Sequence, residues 1–126
     1  MSSLSFRRHQ RLLNAADFQA VFAEAPLRAS HQHLLILSRP NDLHVARLGL
    51  VIAKKNIKLA VQRNRIKRLV RESFRANQHQ LTGLDVIVLA RRGLDELDNS
   101  AITKTLEKQW QRLIRKKAQA LGGAPQ

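Results

Sequence analysis

The segment KKNIKLAVQRNRIKRLVRESFR, Lys54 to Arg75, has two opposed faces when wound as a helix from Leu59 onward. Leu59, Ile66, Leu69, Val70, Ser73 and Phe74 share one arc, at the spacing of a core-facing stripe. Asn64, Arg65, Lys67, Arg68, Arg71 and Arg75 take the other, relieved by a single acid, Glu72. A merely solvated face interleaves acids at i±4 to form ion pairs. Here Lys67, Arg71 and Arg75 stack at i, i+4 and i+8. Like charges at that spacing cost helix stability, so the pattern predicts one face docked on a sheet and the other on a polyanion.

The rest of the chain agrees with that partner class. It has 126 residues, a net charge of +14 and a pI near 11.7. Such a charge calls for a phosphate-rich partner or an anionic surface. No apolar run is long enough to span a bilayer, and MSSLSFRRHQRLL lacks the apolar stretch of a secretory signal. The absence of cysteine removes disulfides, thiolate metal sites and thiol nucleophiles. A cytoplasmic protein of one domain, residues 1–126, is expected.

Working back to the N-terminus, residues 1–13 read as a basic flexible arm. Asn14 and Asp17 form a capping pair for a short helix that places Phe18, Val21 and Phe22 on one face, and Pro26 ends it. His33 to Leu37 reads as a strand, Arg39 to Asp42 as a turn, and His44 to Ala53 as a second strand. The basic helix follows. Leu84 to Ala90 is a continuous apolar strand, and continuity argues a central position. Asp98 or Ser100 caps a last helix with an inward stripe of Ile102, Leu106, Trp110 and Leu113, and residues 119–126 read as a flexible tail. The fold class is α+β, a two-layer α/β sandwich in the order helix, strands, helix, strand, helix.

Catalytic chemistry is poorly represented. No two of the five histidines lie at i, i+4 on a helix, and His31 and His33 lack a third ligand. Asp95, Glu96 and Asp98 read as turn and cap residues, and no glycine-rich phosphate loop or activated nucleophile is present. The expectation is a protein that binds no cofactor or metal alone.

Gly49-Leu50-Val51-Ile52-Ala53-Lys54-Lys55, followed by Ala60-Val61-Gln62-Arg63-Asn64-Arg65-Ile66-Lys67-Arg68-Leu69-Val70-Arg71-Glu72-Ser73-Phe74-Arg75, resembles the bacterial ribonuclease P protein subunit, whose hallmark is the Arg-Asn-Arg box. Asp17 to Phe22 and Asp85 to Gly93 extend the likeness to roughly residues 14–117. The resemblance implies an accessory subunit of a tRNA 5′-maturation endoribonuclease. Its partners would be a catalytic RNA, which holds the catalytic Mg2+, and precursor tRNA with its single-stranded 5′ leader; no protein partner or membrane is implied, and the protein alone would be monomeric. The implied fold is similar to a small-subunit ribosomal protein and to domain IV of elongation factor G, with a left-handed crossover through the basic helix.

Position by position, the resemblance implies RNA contact by Lys54, Lys55, Lys58, Arg63, Asn64, Arg65, Lys67, Arg68, Arg71, Arg75, Arg91 and Arg92. The helical wheel puts Arg63 near the apolar flank, so it ranks below Arg65, Lys67 and Arg68. The leader groove would be lined by Phe18, Phe22, Leu34 and Ile36, with Ile36 standing where relatives often carry an aromatic. Two rivals remain: a structural ribosomal-type RNA binder without leader recognition, and a DNA-binding protein using the basic helix. Against the latter, strands rather than a second helix flank the basic helix.

Overall fold

In the computed structural model, residues 13–120 are described. Helix α1 (Ala15–Ala23) is followed by strands β1 (Leu27–Ser30), β2 (Leu34–Pro40) and β3 (Arg47–Val51), helix α2 (Ala60–Asn77), strand β4 (Leu84–Ala90), a 3₁₀ turn (Leu94–Glu96) and helix α3 (Asn99–Ala120). The four strands form one sheet in the order β1-β2-β4-β3. β2 is antiparallel to both of its neighbours, whereas β3 and β4 run parallel, as strands joined through a helix can. The central place expected for the strand at 84–90 is the observed one.

The sheet buries both faces unequally. Under α2 and α3 lies the main core. It holds Leu27, Ala29, Leu34, Ile36, Leu48, Val86 and Val88 from the sheet, Ile66, Leu69, Val70 and Phe74 from α2, and Ile102, Leu106, Trp110 and Leu113 from α3. Each buried Val, Leu, Ile or Phe among them contributes about 1.5–3 kcal/mol of transfer free energy relative to exposure. The other face carries a smaller cluster of Leu13, Val21, Leu37 and Ile87, with Phe18, Leu35, Val51 and Leu89 half-buried at its border. The short α1 covers only part of that face.

Local signals explain most boundaries. Asn14 accepts from the Asp17 amide at 2.9 Å while Asp17 accepts from the Asn14 amide at 3.1 Å, a complete capping box for α1. Asp98 caps α3 by accepting from Ala101 N–H at 2.8 Å. α2 and α3 are joined by a buried polar chain: Trp110 Nε1 donates to Ser73 Oγ at 2.7 Å, and Glu107 Oε2 accepts from Ser73 Oγ and Asn77 Nδ2. The rings of Phe74 and Trp110 meet edge to face at 6.0 Å.

Some expectations need correcting. β1 was not anticipated; its four residues are too few to display a period. Leu59 is 61% exposed and only precedes α2 instead of belonging to its inward stripe. α3 runs to Ala120, two residues into the expected tail. The expected arm lies outside the described residues except for Leu13, which is buried.

Candidate nucleic-acid interface

α2 presents the interface because its stripe of Ile66, Leu69, Val70, Ser73, Phe74 and Asn77 is buried. That anchoring turns Asn64, Arg68, Arg71 and Arg75 outward, with Lys67 at the margin. Among the described residues, none of these five makes a side-chain hydrogen bond or ion pair. The same holds for Lys54, Lys55 and Lys58 in the connection before the helix and for Arg92 beyond β4; all four are exposed. The only ion pairs among the described residues join Arg47 to Asp17 and Asp85. The outer cations thus remain uncompensated, which is the arrangement that attracts and steers a polyanion.

Three of the expected contact residues have hydrogen-bond partners within the fold. Arg65 donates through Nε to Gln62 Oε1 at 2.8 Å, and through its terminal nitrogens to Asn99 Oδ1 at 2.6 Å and to the carbonyls of Asp95 and Leu97 at 3.0 and 3.2 Å. This uses most of the five N–H donors of a guanidinium. Arg65 therefore ties α2 to the loop that starts α3. Arg63 donates to the carbonyls of Ile57 and Lys58 at 2.9 and 2.8 Å, holding the basic connection against the helix. Arg91 donates to Ser30 Oγ and to the His31 carbonyl at 2.7 Å, clamping the β1–β2 turn.

On the opposite face of the sheet, Phe18 and Phe22 lie on one side of α1 with ring centroids 6.3 Å apart and planes inclined by 23°. Phe22 is 50% exposed, and Phe18 is half-buried. Phe18 rests on the bare backbone of Gly49, where a Cβ would come within 2.6 Å of its ring. Leu34 and Ile36 are not beside this pair. Both are fully buried under α2 and α3, since alternate side chains of β2 point to opposite faces. The β2 residues facing α1 are Leu35 and Leu37. Leu35, Leu89 and Val51 stand in register across β2, β4 and β3 and form a half-exposed apolar row beside the aromatic pair.

A salt-bridged cluster positions α1 over this row. Arg47 donates to both carboxylate oxygens of the buried Asp85 at 2.8 Å and to Asp17 at 3.2 Å; Asn41 Nδ2 adds a bond to Asp85 at 2.9 Å. These contacts raise the Arg47 pKa above its usual value, first through the hydrogen bond to Asp85. Arg39 donates to the Ala20 carbonyl farther along α1. The sequence did contain the signal for this face. Arg39, Asp85 and Arg47 are the charged members of otherwise apolar strands, and counting in twos from them reaches Leu35 and Leu37, Ile87 and Leu89, Gly49 and Val51.

Residues 6–114 match the profile of the Ribonuclease P family. The ribonuclease P protein component of Chromohalobacter salexigens is 50% identical across 99% of this chain and 100% of that one. The Pseudomonas aeruginosa protein of the same name is 53% identical across 91% of this chain and 85% of its own length. Among solved structures, the RNase P protein of Thermotoga maritima superposes with a TM-score of 0.70 at 32% identity, covering 83% of this chain and 96% of that one. A Staphylococcus aureus RNase P protein mutant, described as defective in mRNA degradation activity, gives 0.76 at 28% identity, covering 82% of this chain and 87% of its own. With its sheet order, its outward-facing basic helix and these likenesses, the chain belongs to the ribonuclease P protein component family, the RNA-binding protein of a tRNA-processing ribonucleoprotein.

Proposed function

We propose that this protein binds a catalytic RNA through the outer face of α2 and takes the single-stranded 5′ leader of precursor tRNA along the apolar row between α1 and the sheet. The observation that carries this reading is the division of α2, one face buried in the core and the other lined with unpaired cations. Phosphates neutralised there release counterions, so affinity falls with salt by about 0.7–0.9 log units per log unit of salt for each phosphate. Phe18 and Phe22 offer ring faces on which unpaired bases stack, a contact tolerant of base sequence.

In this reading the cleavage chemistry belongs to the RNA and the magnesium ions it holds, in the cytoplasm where precursor tRNA is made. The protein's own residues bind and orient. Leader contacts act differentially, because the substrate has a leader and the product lacks one. A structural RNA binder would be indifferent to leader length.

The test is reconstitution with the candidate catalytic RNA at low magnesium. Wild type should stimulate leader removal. Lys67→Ala combined with Arg68→Ala and Arg71→Ala should abolish that stimulation while the protein remains folded. Normal stimulation by this variant, or affinity that ignores leader length, would overturn the reading.

A further inference from the structure

α3 has two flanks. One faces α2, where Glu107 accepts from Ser73 and Asn77, and Lys117 donates to the Gln80 carbonyl. The other overhangs the edge strand β1, where Arg112 donates to the Ser30 carbonyl at 3.2 Å and Lys116 to that of Arg28. Between this second flank and the β1–β2 turn lies a cleft of about 820 Å³, lined by His31, Lys104, Lys108, Arg112 and Arg115 among others. Because α3 itself stands between the two, this cleft is separate from the cationic face of α2.

The cleft is prepared for negative charge. Lys104, Lys108 and Arg115 make no side-chain hydrogen bond or ion pair among the described residues, and all three are exposed. Their positions span about 16 Å along the helix at 1.5 Å per residue, longer than a single small anion needs. The one acid at its border, Glu107, already has its carboxylate bound to Ser73 and Asn77. Arg112 is held in place by the Ser30 carbonyl. His31 feels the excess: burial first, then His33, Lys108, Arg112 and Arg91, lower its pKa from 6.5.

We infer that the β1-facing flank of α3 is a second phosphate-binding surface, which takes the backbone of an RNA segment other than the one on α2. The inference rests on the reading of this protein as an RNA binder and assigns it a second point of contact. A chain of phosphodiesters fits better than an isolated anion, because the unpaired cations form a row along the helix. The phosphates come either from the catalytic RNA or from the body of the substrate.

The combined variant Lys104→Gln, Lys108→Gln and Arg115→Gln tests this surface, since it breaks no internal hydrogen bond of the described fold; fluorescence of the single buried tryptophan, Trp110, checks folding. Affinity is measured against monovalent salt in two arms, the protein with the catalytic RNA and the assembled holoenzyme with precursor tRNA. The log–log slope should become shallower by about 2 in one arm, on the order of 0.7–0.9 per lost phosphate. A change in the first arm assigns the phosphates to the catalytic RNA; a change in the second alone assigns them to the substrate. Unchanged slopes in both arms, while Lys67→Gln with Arg68→Gln and Arg71→Gln lowers the first, would overturn this surface and leave the proposed function standing. Wild type that binds neither RNA would sink both.

Discussion

Asp85 is 4% exposed in the inner strand β4 and is matched by Arg47 on the neighbouring strand. Removing only the cation leaves a buried carboxylate with Asn41 as its remaining side-chain partner. Arg47→Met should therefore cost about 3 kcal/mol in urea denaturation, and the double change Arg47→Met with Asp85→Leu should recover most of that loss. At His31 the expectation concerns pH. Its folded pKa is lowered from 6.5, so its contribution to stability is complete above pH 6.5 and is lost as pH falls through the folded value. Its Nδ1 also accepts from the His33 amide at 3.0 Å, which requires that nitrogen to be unprotonated. His31→Asn keeps an acceptor in that position and should flatten stability against pH below 6.5. Residue types announced the charges but not their destinations: Arg65 and Arg68 read alike on a helical wheel, yet only the first reaches the carbonyls of Asp95 and Leu97.

Among the elements, those with a sustained period were legible. Apart from Leu59, α2 and α3 bury the expected stripes, with Asn77 and Gln109 added. β1 was not legible, because the apolar–polar alternation of LRAS lasts only four residues and the turn after it, His31-Gln32-His33, has no glycine, proline or asparagine. The parity of β2 was also hidden. A strand covered on both faces loses the alternation that would assign its sides, so Leu34-Leu35-Ile36-Leu37 gave no preference. The seat of α1 depends on Gly49. Gly49→Ala would drive a methyl group into the Phe18 ring, with an expected cost of about 1–3 kcal/mol in stability. The same change should weaken binding of precursor tRNA with a leader more than binding of mature tRNA, compared in one titration series.

For the molecule as a whole, the +14 charge acts in two directions. Repulsion among uncompensated cations opposes the compact state, while the same cations attract RNA. Added monovalent salt should therefore raise the melting temperature of the free protein and weaken its complex with RNA. Calorimetry and binding titrations over one salt series check both signs; a melting temperature that falls with salt would contradict this account of the charge. Composition alone made this balance visible. It could not show that positive charge is divided between α2 and the far flank of α3, because that division depends on which flank each helix turns toward its neighbours.

The sheet order has a consequence for synthesis on the ribosome. Among the described residues β3 has β4 as its only strand neighbour, and more than thirty residues separate the end of one at Val51 from the start of the other at Leu84. A nascent chain halted before residue 84 therefore holds one strand with nothing to pair against and a hairpin lacking its long partner. Folding of the sheet must wait for Leu84 to Ala90 to emerge, and fragments truncated ahead of that point are natural prey for proteases.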